Sequence, residues 1–139
     1  MKFYILEPEV AGGFGKNTII DNSVFPPIIH KLNYQLDGWL GDDLLESFPC
    51  YIVTEGIKEM LELIQPSGFI FSDVEITKSD QFRELYPNRK IPKFYWLKIH
   101  GKAGYDDFGI SDENTLVVSE KVLELLKKFK IDNCDIEKY

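Results

Sequence analysis

The chain has 139 residues, of which 44% are apolar, 14% aromatic and 28% charged. That length sets an expectation of one domain over residues 1–139, with enough interior to hold together without disulfides or a structural metal, and the composition excludes a disordered tail, a collagen and a low-complexity linker. Sixteen basic against 23 acidic residues leave a formal charge of −7, which argues against nucleic-acid binding, because that affinity comes from Lys and Arg neutralising phosphates, and favours fast encounter with a basic partner.

No apolar run approaches the roughly 20 residues a membrane-spanning helix needs; the longest uncharged run, Leu63 to Ser72, is broken by Pro66 and Gly68. The opening Met1 to Glu9 has one basic residue and too short an apolar stretch for a signal peptide. A cytosolic location is therefore expected. Cys50 and Cys134 have no CxxC partner, so free thiols are expected rather than zinc or redox chemistry.

In chain order, Phe3 to Leu6 reads as a strand ended by Pro8, and Ala11 to Thr18 as a glycine-rich surface loop. That loop lacks the spacing of a phosphate-binding motif, with Val10 and Asn17 at two of its required positions. Thr18 to Ile20 looks extended, and Leu32, Tyr34 and Leu36 alternate like a half-buried strand before a turn at Asp37-Gly38. Asp42 or Asp43 is placed to cap a short helical turn through Ser47. Tyr51 to Val53 is a short strand, after which Ile57, Met60, Leu61 and Ile64 fall on one face of a helix over Thr54 to Gln65. Pro66 and Gly68 stop it.

Phe69 to Thr77 returns as a strand, and Ser79 or Asp80 opens a short helix carrying Phe82, Leu85 and Tyr86. A long strand from Lys93 to His100 leads into a polar loop over Gly101 to Asn114. Thr115 to Val118 is a further strand, and a second strong helix over Ser119 to Lys130 presents Val122, Leu125, Leu126 and Phe129 on one face. Lys127, Lys128 and Lys130 suit the negative end of its dipole. The segment Cys134 to Ile136 reads as extended.

The two helical units echo each other. At an offset of 65 residues, Val53, Glu55, Glu59 and Leu61 match Val118, Glu120, Glu124 and Leu126, and five further pairs between Ile52 and Ile64 are conservative. Two strand–cap–helix units predict an α+β fold: a mixed β-sheet with two main amphipathic helices packed on one of its faces.

Chemistry is thinly marked. His100 ends a strand near Asp106 and Asp107, so a histidine–carboxylate pair is conceivable there, while His30 follows Pro-Pro-Ile-Ile. Cys50 lies in an apolar stretch that would raise its thiol pKa. Asp42-Asp43 and Asp106-Asp107 offer hard oxygens, but adjacent side chains rarely converge on one cation and no third-ligand spacing repeats. No catalytic constellation, metal site or cofactor is expected.

The segments Gly38-Trp39-Leu40-Gly41-Asp42-Asp43-Leu44, Tyr51-Ile52-Val53-Thr54-Glu55, Ile91 to Leu97 and Leu116-Val117-Val118-Ser119-Glu120-Lys121 resemble immunity proteins of bacterial polymorphic toxin systems, over roughly residues 35–139. The resemblance implies a small cytosolic binder, not an enzyme, that blocks a cognate toxin domain. With the acidic charge it suggests a contact surface of Trp39, Asp42, Asp43, Asp106 and Asp107 facing a basic region of the toxin. The competing expectations are a small hydrolytic or metabolic enzyme using His100 with carboxylates, and an adaptor domain.

Overall fold

A computed structural model describes residues Met1–Tyr139. In chain order it contains β1 (Phe3–Glu7), β2 (Gly12–Phe14), β3 (Ile19–Asp21), β4 (Ile28–Lys31), β5 (Asn33–Leu36), β6 (Leu44–Ser47), β7 (Cys50–Thr54) and α1 (Glu55–Ile64). Then follow β8 (Phe69–Ser72), β9 (Glu75–Lys78), α2 (Asp80–Leu85), β10 (Phe94–Ile99), β11 (Phe108–Ile110), β12 (Leu116–Ser119), α3 (Glu120–Leu126) and β13 (Asp135–Lys138). The fold is mixed α+β, but the strands divide among several sheets and the two main helices do not share one: α1 packs on β7 and β10, α3 on β12 and β1.

The two four-stranded sheets repeat each other. One has the order β6-β7-β10-β8 and the other β11-β12-β1-β13. Phe94, Tyr95, Trp96 and Leu97 pair with Thr54, Val53, Ile52 and Tyr51, just as Phe3, Tyr4, Ile5 and Leu6 pair with Ser119, Val118, Val117 and Leu116. On the far edge Leu97 faces Phe71 and Leu6 faces Ile136. The offset of 65 therefore runs on from β7–α1 into β8, and it is joined by a second likeness: Lys2-Phe3-Tyr4-Ile5-Leu6 against Lys93-Phe94-Tyr95-Trp96-Leu97. In chain order the two copies run β1, β6, β7, α1, β8 and β10, β11, β12, α3, β13. Each copy gives its first strand to the other copy's sheet.

Both helices start from an extended hydroxyl residue, but only one of the two caps through its side chain. Ser119 Oγ accepts the Val122 N–H, satisfying one of the helix's free amides. Thr54 occupies the same extended cap position but turns its hydroxyl elsewhere. The next amides, Glu55 N–H and Glu120 N–H, donate to the carbonyls of Lys93 and Lys2, the residues just ahead of the exchanged strands. Helix starts and strand exchange are thus tied together.

One core gathers Leu6, Leu44, Val53, Leu97, Val118 and the buried faces of both helices, Ile57 and Leu61 with Val122 and Leu126. The other side of β7 and β10 is covered too. There Ile52, Phe94 and Trp96 meet Leu32, Tyr34, Leu36 and Phe82, brought in by the β2-β5-β9 sheet and by α2. Alternation along β10 sends Leu97 into one core and Phe94 and Trp96 into the other. A sheet covered on both faces reads as a continuous apolar run, which is why all five residues of β7 are buried.

Several expectations are corrected. Leu44 to Ser47 forms β6 rather than a capped helical turn: its two leucines point into opposite cores. The glycine stretch is not all loop, since Gly12 sits in β2 so close to the Gln35 carbonyl that a Cβ would clash at 1.8 Å. Phe69 to Thr77 breaks at Asp73-Val74 into β8 and β9, which belong to different sheets. The polar segment over Gly101 to Asn114 contains β11, and α3 ends at Leu126, short of the lysines.

Candidate functional site

The residues proposed from sequence as a contact surface turn out to be built into the frame. Asp42 is fully buried, and its two oxygens accept the Asn133 backbone N–H at 2.8 Å and the Asn133 side-chain amide at 3.0 Å. It therefore belongs to the interior rather than to a surface. Trp39 is buried as well: its Nε1 donates to the Asp42 carbonyl at 3.0 Å, its ring meets Phe94 edge-on, and the Arg89 guanidinium lies 4.7 Å over it.

Asp43 and Asp107 perform one task twice. Asp43 Oδ1 accepts the Thr54 hydroxyl at 3.1 Å, its Oδ2 accepts the Lys130 N–H at 2.8 Å, and its carbonyl accepts the Thr54 N–H. Asp107 Oδ1 accepts the Ser119 hydroxyl at 2.8 Å, its Oδ2 accepts the Ser67 N–H at 3.0 Å, and its carbonyl accepts the Ser119 N–H. Each aspartate clamps the helix cap of its own copy to the chain just beyond the other copy's helix. Burial pushes the Asp107 carboxyl up, but the Ser67 and Ser119 bonds with nearby Lys121 outweigh it and hold the group below its ordinary range. Asp106 accepts the Lys102 N–H at 2.8 Å, so the carboxylates expected beside His100 are engaged elsewhere. His100 is exposed at the end of β10 and its backbone N–H donates to the Gly68 carbonyl.

A cleft of about 550 Å³ draws on both four-stranded sheets, with Leu6 and Glu7 from β1, Glu46 from β6, Tyr51 from β7, Leu116 from β12 and Asp135 from β13. Glu9 also lines it, buried and fixed by the Leu40 N–H at 2.7 Å and the Asp42 N–H at 3.3 Å. The field inside is negative. Burial, the charge of Glu7 and an opposing pull from the Tyr51 hydroxyl leave the Glu46 carboxyl raised to about 6. The Cys134 thiol, beside the cleft, is pushed up to about 12 by burial and then by Asp42 and Asp135. Val10 and Leu40 form one rim, and beyond them lies a second cleft of about 450 Å³, lined by Trp39, Leu85, Tyr86 and Asp37 among others.

None of Glu7, Val10, Leu40, Glu46, Leu85 or Asp135 was marked out by the sequence as a site residue; Pro8-Glu9-Val10 after a strand carries no motif. Cys50, buried, has its thiol pushed up to about 12 by burial, which keeps it protonated and unsuited to nucleophilic attack. Compared with protein-family models, with curated proteins and with solved structures, the chain matches none.

Proposed function

We infer that the protein is a cytosolic immunity protein: a binder, not a catalyst, that neutralises a cognate bacterial toxin by stoichiometric protein–protein contact. The observation that carries this reading is the role of Asp43, in a motif that resembles immunity proteins, and of its structural counterpart Asp107. Both hold helix caps to the chain beyond the opposite helix, so they brace a frame. Reactivity is not what they supply. A preformed frame is what a binding protein needs, because rigid surfaces lose less entropy on association. The acidic balance supports the same reading, since it speeds encounter with a basic partner.

The test is whether a toxin domain is encoded immediately upstream of this gene and, with that domain, co-expression. Growth should be restored by the wild-type chain, and the two purified proteins should form an equimolar complex. Unrelieved growth arrest together with no complex would overturn the reading.

A further inference from the structure

Exposed apolar side chains are scattered over the surface, and two groups of them flank clefts. One surrounds Phe25 and Phe48, whose rings stack 6.0 Å apart beside a cleft of about 260 Å³ in which Lys98 is the one charged lining residue. Nothing about that patch specifies an occupant. The other is the ridge of Val10 and Leu40, 67% and 60% exposed, with Leu85 at 59% across the second cleft.

This ridge is held rigidly. The Leu40 N–H is fixed on Glu9, and the Asp37 and Gly38 amides both donate to the Ala11 carbonyl, so the two segments that carry Val10 and Leu40 are stapled side by side. The charged side chains lining its two clefts are all acidic. Glu7, Glu9, Glu46 and Asp135 line the cleft on one side and Asp37 the cleft on the other, while neither lining contains a lysine, arginine or histidine. Two cations touch the surrounding chain, and both are engaged by it: Lys130 Nζ donates to the Leu40 carbonyl at 3.3 Å, and Arg89 stacks on Trp39.

An apolar centre flanked by polar, charged ground is the anatomy of a protein interface, and the excess of lining carboxylates over the two nearby cations sets the sign of what fits the clefts. We propose that the Val10–Leu40 ridge and its two clefts form the docking face for a basic protein partner, which seats an apolar side chain on the ridge and lysine or arginine side chains in the acidic cleft. The identity of that partner as a toxin rests on the function proposed above; the location and sign of the face do not. Steering by the cleft sets the association rate, and burial of the ridge slows dissociation.

The test titrates the ¹⁵N-labelled full chain with two short peptides, one alternating arginine with leucine and one alternating glutamate with leucine. The basic peptide should saturate shifts at Val10, Leu40, Glu46 and Leu85, and the acidic one should not. The Leu40→Ser/Glu46→Lys variant, its fold checked by unchanged amide shifts elsewhere, should bind the basic peptide about tenfold more weakly or worse. Saturable shifts centred on Phe25 and Phe48, equal response to both peptides, or no saturable binding would overturn the proposal. The same variant in the co-expression assay separates the two readings. Full protection by the variant would overturn this face while leaving the immunity reading intact; a wild-type chain that binds the basic peptide here yet fails to protect would overturn only the immunity reading.

Discussion

Asp107 and Asp43 concentrate several hydrogen bonds on one carboxylate each, so single substitutions there should be felt across the molecule. Removing the Asp107 carboxylate leaves the Ser67 N–H and the Ser119 hydroxyl without their acceptor, and Asp107→Ala should cost about 1–3 kcal/mol in urea unfolding. Asp43→Ala should cost a similar amount, because it orphans the Thr54 hydroxyl and the Lys130 N–H in the same way. Since the Asp107 pKa is lowered in the folded state, its contribution is full above the ordinary carboxyl range and is lost as the pH falls through the folded value. An Asp107→Ala protein whose stability loss persists undiminished in strong acid would contradict this role. Glu46 has the opposite sign. Its pKa is raised from 4.5 to about 6, so the folded state is favoured most below the lower value and loses stability as the pH rises through the upper one. Partial exposure screens the effect, so Glu46→Gln should be about 1 kcal/mol more stable than wild type near pH 8 and indistinguishable from it near pH 4. Thermal unfolding across that range decides it; a constant difference would show that Glu46 acts by packing rather than by charge.

Among the elements, those whose apolar period is helical were the most legible. Ile57 and Leu61, and Val122 and Leu126, are buried as their spacing requires, because each helix is covered on one face only. Leu61→Ala and Leu126→Ala should each cost about 2–5 kcal/mol, whereas Leu63→Ala on the same helix as Leu61, 82% exposed, should stay within about 0.5 kcal/mol. Chemical denaturation of the three variants checks the assigned faces, and a large loss at Leu63 would show that α1 is rotated from its place. Strands were harder to read. Where both faces are covered, as at Leu44-Leu45, period-2 alternation disappears and the pair reads equally as a helical turn. Phe108-Gly109-Ile110 is too short to rise above its polar flanks. The acidic cleft was illegible for a different reason: its walls run from Leu6 to Asp135, and no local pattern announces that two ends of a chain will meet. Asp42 and Asp43 were visible as unusual, but their acidity suggested a surface, and only the partners Asn133, Thr54 and Lys130 show Asp42 buried and Asp43 bound into the frame.

At the scale of the whole molecule, the exchange of first strands makes each half depend on the other. A chain cleaved between Asn88 and Arg89 separates β10 from β7 and β8, which it joins, and separates β1 from β12 and β13. The first fragment then keeps β6, β7 and β8 without the strand between the last two; the second keeps β11, β12 and β13 with the same gap. Each would expose ladders of unpaired N–H and C=O groups together with half of the core that Leu6 and Leu97 complete. The second fragment, of about 50 residues, is also at the size where a lone core is marginal. Neither fragment should fold by itself, and mixing them in equal amounts should restore the native far-ultraviolet circular dichroism and amide spectrum. Two independent folding units joined by a linker would behave otherwise, each giving its own cooperative unfolding transition before mixing. A second fragment that unfolds cooperatively as a monomer would contradict the exchanged arrangement, because without β1 the sheet that supports α3 has no strand to join β12 to β13.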